Sequence, residues 1–308
     1  MFDGILFPFR WIIELILVTF HSGLTAIGFD AADGVTWVLA IVGLVLVVRA
    51  ALIPLFVRQI KSQRGMVVLQ PELQKLQKKY KGKTDRESRE AFGREQMELY
   101  KRTGSNPLSS CLPLLAQMPI FFSLYTTLST AQHGVAGVGF LSKTLSDQFA
   151  AATFFNARLS DTFLTSTNME VKILAGVMVV LMTASQFITQ RQIIAKNQTP
   201  ANLQNNQYMQ TQRIMLWLFP IMFLISGISF PLGVMFYWLV SNFWTMGQQY
   251  FVIKRMPMPG SPAAAARDAK LAAKGILPQG QIVVEEEVTK PEPKGQRSQP
   301  TRKKPKKK

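Results

Sequence analysis

Five apolar stretches, at residues 35–57, 108–130, 171–190, 214–230 and 232–253, constrain this chain more than any other feature. Each is close to the roughly 20 helical residues needed to cross a hydrocarbon core about 30 Å thick. A water-soluble domain spreads its apolar residues over amphipathic patterns instead of gathering them into blocks. Here 48% of 308 residues are hydrophobic and the blocks hold about half of them in about a third of the length. The expected fold is an all-α membrane protein with five transmembrane helices. The single cysteine, Cys111, lies inside the second block, which excludes a disulfide framework or a cysteine-based metal site.

Lysines and arginines orient the spans. Residues 58–106 carry 13 of them, 191–213 carry three and 254–308 carry 14, whereas 1–34 carry one and 131–170 carry two. The positive-inside rule puts the first three segments in the cytoplasm and the last two outside. Spans at 35–57, 107–130, 171–190, 214–230 and 231–253 then satisfy every connection, with the N-terminus outside and the C-terminus inside. The net charge of +17 is therefore a charge of the cytoplasmic face.

The segments between the spans have their own patterns. Residues 1–20 are apolar but open MFDG, without the basic start or cleavage site of a signal peptide. Arg10, Glu14 and His21 share one helical face, which suits an external amphipathic helix lying on the membrane. The alternative is a sixth span, which Arg10 and Glu14 would interrupt. Residues 58–106 read as two helices joined by KGKTD, with a bend before Pro71 and a stop at TGSNP. Apolar seams at Leu73, Leu76 and Tyr80 and at Phe92, Met97 and Leu99 make them a cytoplasmic helical hairpin instead of a solvated spacer. The loop 131–170, with Gly134, Gly137 and Gly139, reads as irregular or short helical structure. The end, after a short alanine-rich helix, is a basic disordered tail finishing RKKPKKK.

Arg49 is the only charged residue from Val35 to Val57. A central arginine costs about 2.5–3.5 kcal/mol to insert. Its helical neighbours Val45, Leu46, Leu52 and Ile53 cannot hydrogen-bond it, and no block holds an aspartate or glutamate in its interior. The guanidinium must then be hydrated or held by neutral polar groups. Those available are Gln117 in the second span, Thr183, Ser185, Gln186 and Gln190 in the third, and Tyr237, Ser241, Thr245 and Gln248 along one row of the fifth. Trp238 and Asn242 flank that row. Such residues also join helices by plain interhelical hydrogen bonds. The Met178, Met182 and Gln186 row is read either as packing or as an adaptable contact surface.

Two stretches go further. NPLSSCLPLLAQMPIFFSLY at 106–125 and FPLGVMFYWLVSNFWTMGQQ at 230–249 resemble signature segments of the YidC/Oxa/Alb family of membrane protein insertases. VRAALIPL at 48–55 is similar to that family's first core span with its groove arginine, and LQPELQKLQKKY to the start of its cytoplasmic hairpin. The resemblance implies five core helices around a hydrophilic, positively charged groove. It also implies substrate contact by Arg49, Gln117, Gln186, Tyr237 and Trp238. Lacking the large external domain of Gram-negative members and a lipoprotein cysteine near its start, the chain reads as Gram-positive and actinobacterial.

The expected function is a non-enzymatic insertase and chaperone in the bacterial cell membrane. It moves nascent transmembrane segments from the cytoplasm into the bilayer, alone or with the Sec translocon, and needs no cofactor or metal. No phosphate-binding glycine loop is visible. Lys303, Lys304, Lys306, Lys307 and Lys308 of the tail are expected to meet ribosomal RNA, with anionic lipid as the alternative partner. The rival function is an anion-conducting channel or transporter built around Arg49.

Overall fold

The computed structural model describes residues 2–102, 112–199 and 206–276. The tail lysines Lys303 to Lys308 and motif residues 106–111 lie outside this set. Within it the chain is mostly helical: α1 (Phe2–Ala26), α2 (Gly34–Ala51), α3 (Ile53–Val68), α4 (Gln70–Tyr80), α5 (Arg86–Arg102), α6 (Leu112–Gln132), α7 (Lys143–Ala151), α8 (Met169–Asn197), α9 (Asn206–Ser229), α10 (Leu232–Arg255) and α11 (Pro262–Ala272). Residues to Arg267 form one compact unit. The second unit begins at Asp268, is described to Ile276 and holds the end of α11.

Helix ends follow local chemistry. Asp33 caps α2 by accepting from the Val35 N–H, Ser142 caps α7 through the Leu145 N–H, and Asn168 caps α8 through the Glu170 N–H. Only Leu52 separates α2 from α3. Pro54 explains the break, since it has no N–H for the carbonyl one turn back and its ring crowds that carbonyl. The next interruption, at Leu69, precedes Pro71 at the start of α4. The sequence reading ran its first span unbroken to residue 57, whereas the chain breaks at Leu52. Likewise α8 runs on to Asn197 and α9 starts at Asn206, so much of the expected 191–213 loop is helix.

The core lies where α10 meets α8, α2 and α6, with α1 on α2 and α6 and α9 on α8. Helix α8 buries Val171, Ala175, Met178, Met182, Ser185 and Thr189, a stripe at spacings of three and four. Its opposite side exposes Ile173, Val177, Val180 and Leu181. Since both sides are apolar, the stripe is set by fit against neighbouring helices and not by polarity. Met178 and Met182 are fully buried core residues, which decides that row in favour of packing. Close approach is visible at Gly34, where a Cβ would overlap the Thr153 carbonyl.

Helices α1, α2 and α8 are long and apolar enough to cross a membrane, and α9 holds a shorter apolar stretch, Leu216–Ser229. Helices α6 and α10 are more polar: Gln117, Ser123 and Thr127 interrupt the first, and Ser241, Asn242, Thr245 and Gln248 the second. Helix α1 does more than present an amphipathic face. Ile13 and Leu17 are buried, His21 stacks on Trp37 with ring centroids 4.0 Å apart, and Glu14 is 0% exposed.

Glu14 ties α1 to the loop after α6. Its carboxylate accepts from the N–H groups of Val138 (2.9 Å), Gly139 (2.7 Å) and Leu141 (3.4 Å). A Cβ at Gly137 would overlap that carboxylate, and one at Gly139 would press on Trp11 at 2.7 Å. The glycines of GVAGVG thus let backbone donors converge on an anion, as in a backbone nest. Beyond this loop, α7 and a two-stranded hairpin (β1 Thr153–Phe154, β2 Ala157–Arg158) close the segment. Phe155 and Asn156 form its turn with φ of 49° and 59°, the signs a two-residue hairpin turn requires.

Helices α4 and α5 pack as an antiparallel pair. Lys79 Nζ (2.6 Å) and the Tyr80 hydroxyl (2.7 Å) donate to Glu95, Arg102 donates to Glu72 at 3.0 Å, and Leu69, Leu73, Leu99 and Tyr100 form the seam. The Lys79 hydrogen bond, then that of Tyr80, holds the Glu95 carboxyl below its ordinary range.

Candidate functional site

The site begins on α2. Ile41, Leu44 and Val45 are buried against the bundle, and Arg49, one turn after Val45, continues that row. Leu46 and Val47 face away and are exposed. Arg49 is half-buried, and among the described residues no carboxylate pairs with it and no hydrogen bond holds it.

Three helices contribute to its surroundings. Tyr237, in the first turns of α10, is buried at 3% exposure, and its ring is the ionisable group within electrostatic reach of the guanidinium. Gln117 of α6 donates from Nε2 to the Tyr237 hydroxyl at 3.1 Å. One turn further along α10, Ser241 Oγ and Asn242 Nδ2 are buried without a partner among the described residues. Buried polar atoms are ordinarily satisfied, so atoms left over are a polar surface in search of a partner. Thr245 does not add to that surface, because its hydroxyl donates to the Ser241 carbonyl at 2.8 Å.

Arg49, Tyr237 and Gln117 therefore come together, from residues far apart in the chain. Gln186 is half-buried on α8, and no hydrogen bond joins it to the other three among the described residues. Its neighbours are spent on their own helix: Ser185 donates to the Met182 carbonyl (2.9 Å) and Thr189 to that of Ser185 (2.8 Å). Trp238 belongs to an aromatic cluster. It stacks on Phe121 with centroids 5.4 Å apart and planes within 5°, and meets Phe230 edge-on at 5.2 Å. That packing clamps α6 to α10 beside the Gln117–Tyr237 bond. Sequence reasoning missed the Glu14 cradle, for which GVAGVG was the available signal. It also missed an apolar groove between α3 and α10, one turn beyond Arg49.

The arrangement can present an uncompensated cation and exchangeable hydrogen-bond groups inside a helical bundle. It holds no nucleophile–base pair, and no group of acidic, histidine or cysteine side chains among the described residues suits a metal.

The family model described as 60Kd inner membrane protein matches residues 29–259. A protein of Streptomyces avermitilis named membrane protein insertase YidC is 44% identical over 280 residues, covering 86% of this chain and 61% of its own length. The chain thus spans about three fifths of that relative. Proteins of the same name from Tropheryma whipplei (strain Twist) and Bifidobacterium longum are 42% and 38% identical, covering 91% and 98% of this chain and 96% and 95% of their own. These sources fit the actinobacterial origin expected from the sequence. With most of its length matched in this way, the chain belongs to the 60Kd inner membrane protein family, among relatives that carry the name membrane protein insertase YidC.

Proposed function

We propose that this multi-pass membrane protein is an insertase that receives nascent transmembrane segments at a hydrated groove around Arg49. The observation that carries this reading is an unpaired, half-buried guanidinium beside the Gln117–Tyr237 pair. A segment leaving the cytoplasm carries backbone and acidic groups that hydrocarbon cannot satisfy. Arg49 offers the acidic groups a temporary counter-charge. Gln117, Tyr237, Ser241 and Asn242 offer hydrogen bonds that can be exchanged. The apolar span then passes into lipid, and its burial drives the transfer without nucleotide or catalysis.

In this reading five helices cross the bilayer, α2 with the start of α3, α6, α8, α9 and α10, while α1 lies along the outer surface. The α4–α5 hairpin and the C-terminus are cytoplasmic, consistent with the 13 basic residues of 58–106. Trp238 supports the groove wall, and Gln186 enters when a substrate spans the gap to α8. Clients are nascent membrane proteins, met alone or beside the Sec translocon, a choice that co-purification decides. The test is Arg49→Ala in a cell depleted of its own insertase. Insertion of clients with acidic translocated segments should fall, and Arg49→Lys should restore most of it. Equal insertion of every client by Arg49→Ala and the unaltered protein would defeat the proposal. Anion flux through reconstituted protein without insertion would favour the channel instead.

A further inference from the structure

A groove of about 620 Å³ runs between α3 and the C-terminal half of α10. That volume is within the range of small-molecule sites, about 300–1,000 Å³. Its walls include Phe56, Val57, Trp244 and Gly247, and among the described residues its polar side chains beside the Trp244 indole are Gln248 and Arg255. Trp244 Nε1 donates to Gln248 Oε1 at 2.9 Å, which occupies one lone pair of that oxygen and turns the amide N–H groups outward as donors. Arg255 only donates. A second cation, Lys254, stands at the same helix end with its ammonium 5.8 Å from the Tyr250 ring centroid. Among the described residues the polar side chains of this groove therefore offer mainly N–H donors and a cation beside an apolar wall.

We infer that the groove is a binding site for one anionic phospholipid, with an acyl chain along the Phe56, Trp244 and Gly247 wall and its headgroup phosphate on Arg255. A free anion would leave the apolar wall unused, and a zwitterionic phospholipid, whose phosphate the arginine also reaches, would set its own ammonium against Arg255 and Lys254. Last-turn cations also suit the helix dipole, but that role does not call for the groove. Gly247 gives the site its depth: a Cβ there would meet nothing within 4 Å. The inference rests on the proposed membrane placement of α10, and it puts an acidic lipid one helical turn from Arg49, beside the path proposed for clients.

Trp244 supplies the probe, because bromine on an acyl chain quenches a tryptophan that it touches. The full chain is reconstituted in phosphatidylcholine vesicles containing a minor fraction of brominated phosphatidylglycerol or brominated phosphatidylcholine. The Trp244 signal is the part lost in Trp244→Phe. The anionic lipid should quench it with an affinity about fivefold higher, which corresponds to about 1 kcal/mol for one arginine facing a headgroup of net negative charge instead of a zwitterion. Arg255→Gln should remove that preference, and Gly247→Leu should remove quenching by both lipids by filling the groove. Equal quenching by the two headgroups in the unaltered protein, or a preference that survives Arg255→Gln, would overturn the inference. Insertion measured in the same vesicles keeps the two readings apart. Normal insertion without headgroup preference defeats the lipid site alone, and lost insertion with the preference intact defeats only the insertase reading.

Discussion

Replacing Glu14 by alanine should loosen the loop after α6 more than any other single change on α1. The substitution leaves the N–H groups of Val138 and Gly139, now bonded at 2.9 and 2.7 Å, without an acceptor, and removes a weaker bond to Leu141 at 3.4 Å. A fully buried donor stranded in this way costs about 1–3 kcal/mol, and these two are part-buried, which puts each near the low end. Counting the two short bonds gives a loss of about 2 kcal/mol, a sizeable share of a typical stability of about 5–15 kcal/mol. Glutamine keeps one acceptor but turns an amide donor toward the second N–H, so Glu14→Gln should lose roughly half as much. Hydrogen exchange of the 134–141 segment in detergent-solubilised protein is the assay. A loss near 2 kcal/mol would appear as an increase of about thirtyfold in exchange of these amides. Unchanged protection in Glu14→Ala would refute the reasoning, since it would mean that water satisfies these donors already.

Two further predictions rest on other parts of the chain. In the α4–α5 hairpin, the Lys79 hydrogen bond lowers the Glu95 pKa and the same bond raises that of Lys79. The contact should therefore be fully present between the ordinary values of 4.5 and 10.5, weakening as pH falls through the lowered glutamate pKa or rises through the raised lysine pKa. Exchange protection of α4 measured against pH checks this, and a flat profile below 4.5 would count against it. The tail from Lys290 to Lys308 carries nine basic residues against Glu292 alone, so truncation after Gly260 should lower ribosome co-sedimentation with neutral-lipid proteoliposomes. Binding by the intact chain should fall steeply as salt rises. Unchanged ribosome binding by the truncated chain would remove the tail from the proposal.

Much of this was legible in the sequence because it depended on residue types in one helix. The apolar blocks, Arg49 as a lone cation, the helices of the 58–106 segment and the polar residues Gln117 and Tyr237 all follow from composition and period. The Gln117–Tyr237 bond follows less directly, since it pairs positions 120 residues apart. What escaped has separate causes. Glu14 was seen as one residue of an amphipathic face, but its partners are backbone N–H groups, which no side-chain pattern encodes. The break at Leu52 was overlooked because the apolar run continues past Pro54, and hydropathy does not register a missing donor. Helix α8 was ended too early for the opposite reason: RQIIAKN is polar enough to suggest a loop, yet nothing in it stops a helix. Trp238 was assigned to substrate by resemblance, while its stacking on Phe121 gives it a packing duty that depends on α6.

The most direct test is to place a photo-crosslinking amino acid at Gln117, beside Tyr237, and another at Val180, which is 66% exposed on the outward side of α8. Ribosome-bound clients of increasing length, each with an acidic segment to be translocated, are then offered to membranes. That segment should crosslink to position 117 over a limited range of lengths, far less to position 180, and at both lengths and yields reduced by Arg49→Ala. Equal crosslinking at the two positions, or a pattern at position 117 that Arg49→Ala leaves unchanged, would contradict a groove organised around this arginine.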